Sequence, residues 1–156
     1  MTHQQGILSI DMLRTLVFLS LLVVLSLSLT STLSNRVDAL SIESHIEALT
    51  LEAQHHYAEQ VLQTKCLAQP SLNPTELDIK LVDELGTYDI QYDHLAPATP
   101  HSLLINFSFT EADTSLAIAR YLTPNARDDT TFFYQRPLDY QRADFQHIDN
   151  ATGCLQ

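Results

Sequence analysis

The sequence predicts an α+β protein. A long N-terminal helix, membrane-spanning in one half and amphipathic in the other, packs on a small, mainly antiparallel sheet with one additional short helix. Three features of the 156 residues predict this fold. An uncharged, leucine-rich run lies near the N-terminus, and a stretch with helical periodicity and without Gly or Pro follows it. Short alternating segments bounded by Pro and polar residues occupy the remainder.

The leucine-rich run, residues 16–29, extends to residue 33 through Ser and Thr. It reaches the roughly 18–20 residues that cross a bilayer as a helix. Its serine hydroxyls can donate to helix carbonyls, so they do not exclude insertion. The N-terminal amine and Arg14 favour a cytoplasmic N-terminus. A cleaved secretory signal is the alternative interpretation, although Ser-Leu-Ser at residues 26–28 is a poor cleavage site.

Residues 35–66 predict an amphipathic helix that continues the span. They contain no Gly or Pro, and apolar side chains recur among them at three- and four-residue steps. Pro70 and Pro74 are predicted to end the helix. The apolar face is predicted to consist of Val37, Leu40, Ile46, Leu49, Ala53, Tyr57 and Val61.

From residue 75 onward the pattern is that of a small sheet. A short helix capped by Thr110 is expected to continue to Leu122 and to stop before Pro124. Aromatic side chains at strand spacing are expected in the core and in cross-strand pairs. Strands are predicted at residues 77–82, 88–92, 103–109 and 131–136, with a turn at 84–87 and a polar loop at 125–129.

The two cysteines, Cys66 and Cys154, can pair once the body of the chain leaves the cytoplasm, because they then meet an oxidising compartment. The bond would close a loop of about 90 residues, worth about 4 kcal/mol in the chain-entropy description. It would also tie the C-terminal tail to the end of the long helix. Two unpaired thiols are the alternative.

The charge distribution and the motifs restrict the classes of function that the sequence predicts. Residues 15–34 carry no charge, whereas residues 35–156 carry 18 acids and 7 bases, a net charge of −11. We therefore expect no nucleic-acid partner, because phosphate contacts need clustered Lys and Arg. Glu52 and His55 have metal-ligand spacing, but no second such pair accompanies them, so we expect no metal. The motifs of serine hydrolases, zinc proteases and dithiol oxidoreductases do not occur, and we expect neither catalytic residues nor a cofactor.

Residues 5–13 resemble the processing site of type IV pilins and pseudopilins. In that family a short polar leader ends in Gly, cleavage follows the Gly, and the next residue is apolar. A carboxylate, usually of Glu, lies fifth after the cut within an apolar helix. Gly6, Ile7 and Asp11 occupy these positions here, directly ahead of the uncharged run. The resemblance implies cleavage by a prepilin peptidase and methylation of the new N-terminus.

The resemblance also implies a role for Asp11. An ionised group in hydrocarbon is costly unless it is paired. In the family the carboxylate is thought to pair with the new amine of a neighbouring subunit and so to set the register between helices. The alternative is that Asp11 lies in the headgroup region and pairs with Arg14, three residues along the helix.

The organisation that follows is a leader at residues 1–6, a transmembrane helix at 7–34, an amphipathic helix at 35–66 and an extracytoplasmic α+β domain at 67–156. We expect a non-enzymatic, minor pilin-like or pseudopilin-like subunit that assembles through its apolar helix in a pilus or secretion-system filament. Its expected partners are other pilin-like subunits, the prepilin peptidase and membrane lipid. The expected location is the inner membrane, single-pass, with the globular domain periplasmic or extracellular, or a pilus.

Two alternatives stay open. An unprocessed, single-span assembly-platform protein of a pilus or type II secretion system would have the same layout, with Arg14 as an ordinary positive-inside flank. A secreted domain released by signal cleavage is the other alternative.

Overall fold

The computed structural model describes residues 4–67, 71–94, 100–138 and 154, apart from the side chains of residues 4–9 and 94. It divides into two units, Met1–Asp38 and Ala39–Gln156. The elements are α1 (Gln4–Thr64), a 3₁₀ turn (Pro74–Glu76), β1 (Gly86–His94), β2 (Pro100–Phe109), α2 (Ala112–Ile118), a 3₁₀ turn (Ala119–Tyr121), β3 (Ala126–Asp128) and β4 (Thr131–Pro137). This is the predicted α+β fold, with a long helix, an antiparallel sheet and one short helix.

Helix α1 contains 61 residues and ends earlier than the prolines predict. Lys65, the residue after it, has a φ of 56°. Its N–H donates to the carbonyl oxygen of Val61 at 2.8 Å. A residue in the left-handed region at this position turns the chain out of the helix while satisfying one of the last carbonyls. The end of α1 is therefore set by Lys65, with Pro70 and Pro74 further along the chain.

In the part of the chain that the structure describes, the sheet has four strands in the order β1-β2-β4-β3, and every neighbouring pair is antiparallel. Ile105 of β2 lies opposite Ile90 of β1 on one side and opposite Tyr134 of β4 on the other. Because side chains alternate along a strand, one face of the sheet is apolar and buried. Its members are Tyr88, Ile90, Tyr92, Leu103, Ile105, Phe107, Phe109, Phe132 and Tyr134.

The part of α1 that belongs to the second unit shares a single core with this sheet face. Ile46 and Leu49, for example, are completely buried within it. The predicted helix face is right at Ile46, Leu49, Ala53, Tyr57 and Val61 and wrong at Val37 and Leu40. Those two side chains are 63% and 59% exposed, and the core instead uses Ala39 and Ile42. Apolar residues at three- and four-residue steps lie on two faces of α1, and only one of these faces packs against the sheet.

The predicted strand at residues 77–82 is wrong. The segment follows the turn Pro74–Glu76 as a series of bends, and within it only Val82 forms a bridge, with Thr87. Leu77 is buried in the core. The alternation of apolar and polar residues in this segment therefore reflects packing against the core and not pairing with another strand. The predicted turn at residues 84–87 is confirmed in its first half only, since Gly86 and Thr87 already belong to β1. The Asp83 carboxylate holds the turn by accepting from the N–H groups of Leu85 and Gly86 at 2.9 and 2.8 Å.

Two smaller predictions also differ from the structure. Helix α2 begins after Glu111 instead of Thr110, and Glu111 makes no side-chain cap bond. The helix ends at Ile118, and a 3₁₀ turn continues to Tyr121. The expected polar loop at residues 125–129 contains β3, which pairs with β4. This three-residue strand lies at the edge of the sheet.

Candidate functional site

The uncharged part of α1, residues 15–34, is called the apolar segment here. Its large side chains are exposed: Leu16 by 62%, Phe18 by 61% and Leu25 by 57%. An 18-residue window of α1 near the N-terminus has a mean hydropathy of 2.3 and is 0% buried. The helix is therefore long and apolar enough to cross a membrane. Its apolar side chains are not covered by the described part of the chain.

Six of the eight hydroxyl groups in the apolar segment donate to carbonyl oxygens within the helix, as the sequence predicts they can. Ser20 donates to the carbonyl oxygen of Val17 at 2.8 Å, and Ser26 donates to that of Val23 at 2.8 Å. Further along, Thr30 donates to the carbonyl oxygen of Ser26 at 2.9 Å. Such bonds remove the need for water at these hydroxyls, so they lower the cost of burying these polar residues in hydrocarbon.

The two residues that flank the cleavage site implied by the resemblance lie at the start of α1. Gly6 and Ile7 are in the first turn of α1, which begins at Gln4. The first four N–H groups of a helix have no intrahelical acceptor. Opening the chain around the bond between Gly6 and Ile7 therefore breaks few backbone hydrogen bonds.

Asp11 lies on the next turn of α1 and its side chain is exposed. Its backbone carbonyl oxygen accepts a hydrogen bond from the Thr15 hydroxyl at 2.8 Å. Among the side chains that the structure describes, the Asp11 carboxylate forms no ion pair, with Arg14 or with any other residue. The intrahelical pair that would occupy Asp11 in the alternative interpretation is thus not formed.

The sequence also indicated Cys66 and Cys154, and the structure joins them by a disulfide of 2.05 Å across 88 residues. Cys66 is the second residue after the end of α1, and its N–H donates to the Thr64 hydroxyl at 3.2 Å. The adjoining Leu67 carbonyl accepts a hydrogen bond from the buried Tyr57 hydroxyl of α1. A covalent bond and a side-chain hydrogen bond therefore fix the chain where it leaves the helix.

A polar cluster that the sequence did not reveal lies at one end of the β1–β2 hairpin. Ser102 donates to Asp93 Oδ2 at 3.0 Å and accepts from Gln135 Nε2 at 3.0 Å. His101 Nε2 lies 3.4 Å from Ser102 Oγ and 3.5 Å from Asp93 Oδ2. Because the hydroxyl proton points at the carboxylate, the arrangement differs from a nucleophile–base pair. Ser102 is 4% exposed and acts as a structural link. The signal that finds the cluster is the strand register, which places Asp93 opposite Ser102.

A second cluster joins α1 to the 3₁₀ turn before the sheet. His56 Nε2 lies 3.1 Å from Glu76 Oε2, and His56 Nδ1 lies 3.4 Å from the Tyr92 hydroxyl. Both ring nitrogens are thus used within the fold. Within the described ranges, no three His, Cys, Asp or Glu side chains form a group that could hold a metal ion. Glu52 and His55 belong to no such group.

Three tyrosines of the sheet are held in their neutral form. Burial, followed by the charge of Asp83, raises the pKa of Tyr88. Burial also raises the pKa of Tyr92 and of Tyr134, above the ordinary value of 10.0. These phenols belong to the core and stay neutral at physiological pH.

Comparison of the chain with protein-family models, with curated proteins and with solved structures finds no match.

Proposed function

We propose that this chain is a minor, non-enzymatic subunit of the type IV pilin or pseudopilin kind, which assembles in a pilus or a secretion-system filament. One observation carries the proposal. Gly6, Ile7 and Asp11 stand directly ahead of an apolar segment whose side chains are uncovered by the described part of the chain. A long N-terminal apolar helix and a small antiparallel sheet are compatible with a pilin-like fold.

In this proposal a prepilin peptidase cuts after Gly6, and the new amine of Ile7 is methylated. The Asp11 carboxylate, which has no ion-pair partner among the described side chains, then pairs with the new amine of a neighbouring subunit. The pair neutralises both charges in an apolar surrounding and fixes the axial register of the two helices. Packing of the apolar segments against one another supplies the remaining attraction.

The proposed location follows from the same segments. The apolar segment crosses the inner membrane with its N-terminus in the cytoplasm, and the acidic α+β unit lies in the periplasm or outside the cell. The Cys66–Cys154 bond supports this side of the membrane, because disulfides persist in oxidising compartments.

The test is the mature N-terminus. The protein is extracted from membranes, and its mass and N-terminal sequence are determined. We expect a chain that starts at Ile7 and lacks the six-residue leader. A start at Met1 or Thr2 would end the proposal.

Arg14 supports a second candidate function, that of an unprocessed assembly-platform protein of a pilus or type II secretion system. Its exposed side chain lies immediately before the apolar segment, where a positive-inside flank is expected. Mechanical shearing of cells separates the two functions. A filament subunit is released with the sheared filaments, whereas a platform protein stays in the membrane fraction.

A further inference from the structure

We propose that the outer face of α1 in the α+β unit binds a helix of a different protein, one with an apolar seam flanked by Lys or Arg. The proposal concerns residues outside the apolar segment and does not need cleavage at Gly6, so it goes beyond the proposed function. It rests on three leucines, Leu40, Leu51 and Leu62, which we call the leucine stripe.

The leucine stripe lies outside the hydrophobic core that the described residues form. Its side chains are 59%, 67% and 66% exposed, although Leu is otherwise a typical core residue. Successive members are eleven residues apart, and eleven residues fill about three turns of helix. The three leucines therefore lie along one line of the helix surface. The residues that meet the sheet, such as Ile46 and Leu49, lie on the opposite side of α1.

The positions between the leucines allow another helix to come close. One helical turn after Leu40 lies Ser44, followed by Ala48, and Ala58 lies one turn before Leu62. Small side chains at these places leave shallow gaps between the leucines, into which the ridge of a second helix fits. His55 is exposed and lies one turn after Leu51.

The charges around the stripe select the kind of partner. Glu47 and Glu59 are exposed on either side of it, and Glu52 lies half-buried on the Glu59 side. Residues 37–64 contain no Lys or Arg. A second copy of this chain anchored in the same membrane would run parallel and would place like charges together, which opposes association. Lys or Arg on both sides of a partner's apolar seam would instead lie opposite the glutamates that flank the leucine stripe. The negative charge of these glutamates therefore favours a basic helix of a different protein.

The test uses full-length protein in nonionic detergent micelles and two fluorescent peptides of about 25 residues. Both peptides are helical and carry Leu at eleven-residue spacing. They differ only in the flanking residues, which are Lys in one and Glu in the other. Fluorescence anisotropy, with empty micelles as the blank, should show at least about tenfold tighter binding of the Lys-flanked peptide. The preference should shrink as salt rises.

Variants then locate the site. Leu51→Ala should weaken binding of the Lys-flanked peptide by about fivefold to tenfold, because a central apolar anchor is lost. Leu116→Ala, at a side chain of α2 that is 67% exposed, is the matched control and should change nothing. Glu47→Gln combined with Glu59→Gln should remove most of the preference for Lys. Far-UV circular dichroism shows that each variant is folded.

Three results would overturn the proposal. The first is equal binding of the two peptides, and the second is unchanged binding by Leu51→Ala. The third is self-association in sedimentation that Leu51→Ala abolishes. The last result would make a second copy the occupant. None of these results bears on the proposed cleavage after Gly6, because every experiment uses the uncleaved chain.

Discussion

The Tyr92 hydroxyl donates to the backbone carbonyl oxygen of Ala53 at 2.9 Å. Tyr92 lies on β1 and Ala53 lies in the C-terminal third of α1, and both are buried. The ring of Tyr92 also packs edge-on against Tyr57, with centroids 5.4 Å apart. The sheet is thus attached to the helix by a directional bond as well as by apolar contact, which fixes the position of one relative to the other.

Tyr92→Phe should lower the free energy of unfolding by about 1 kcal/mol, since a buried hydrogen bond is lost while the ring is kept. Tyr134→Phe is the matched comparison. Its hydroxyl is buried without a hydrogen-bond partner among the described residues, so its removal should leave stability unchanged or raise it by up to about 1 kcal/mol. Denaturant unfolding of both variants measures the difference. Equal losses would contradict the assignment of the bond to Ala53.

Alkaline pH should unfold the α+β unit. The pKa values of Tyr88, Tyr92 and Tyr134 are raised in the folded state, above the ordinary value of 10.0. Below pH 10 both folded and unfolded chains hold these protons, so the contribution to stability is complete. Above it the unfolded chain releases them first, and stability falls by about 1.4 kcal/mol per pH unit for each tyrosine until the raised folded values are reached.

The measurement for this prediction is absorbance at about 295 nm, where phenolate absorbs, recorded together with circular dichroism. Tyr88→Phe should remove one phenolate from the step that coincides with unfolding and should make the fall of stability with pH less steep. Ionisation of Tyr88 in a chain that keeps its folded spectrum would show that its phenol is accessible to base.

Gly86→Ala should destabilise the fold by about 3 kcal/mol, because β1 passes very close to β2 at this residue. A Cβ at Gly86 would lie 2.2 Å from the backbone oxygen of Ser108 and 2.9 Å from two ring atoms of Phe107. The backbone oxygen cannot move without breaking the register of the two strands. Thr87→Ala, at the exposed neighbouring position, is the control and should change stability by less than about 1 kcal/mol. Thermal unfolding of both variants measures the effect, and similar melting temperatures would contradict the close approach.

The helix and the two long inner strands follow from the sequence because local patterns determine them. Ile105 and Phe107 alternate with polar residues, and no Pro or Gly interrupts α1 after Gly6. The predictions for Leu77 and Leu40 are wrong for one shared reason. A periodic pattern shows that side chains are apolar, but it does not show whether a strand or another part of the core lies opposite them. Leu77 packs in the core without a strand partner, and Leu40 is 59% exposed.

In the candidate site, too, some features can be predicted from local sequence and others depend on tertiary structure. The apolar segment and the two cysteines are recognisable from composition and compartment, before any contact is known. The Ser102–Asp93 cluster depends on the register of a hairpin, and that register is set by pairing between strands. The state of Asp11 is likewise decided by side-chain placement, since spacing alone allows a pair with Arg14 that the structure does not form.

Reduction of the disulfide should lower the free energy of unfolding by about 4 kcal/mol, because the unfolded chain regains the freedom of the closed loop. Denaturant unfolding with and without reductant measures this change. A variant with Cys66→Ser and Cys154→Ser should match the reduced wild-type chain and should no longer respond to reductant. A response that persists in the double variant would show that reductant acts elsewhere.

Asp11 provides the sharpest test of assembly, because its charge can be removed without changing its size. Asp11→Asn should leave cleavage after Gly6 intact and should reduce the amount of this chain in sheared filaments at least about tenfold, since the neighbour's amine loses its counter-charge. Asp11→Glu keeps the carboxylate, which is the group usual in the resembling family, and should assemble normally. Gly6→Leu serves as the processing control and should retain the leader. Mass spectrometry of the N-terminus and quantitative blotting of sheared and membrane fractions measure both steps. If Asp11→Asn assembles as well as the wild-type chain, the carboxylate does not pair with an amine, and the register between helices must come from the apolar side chains alone.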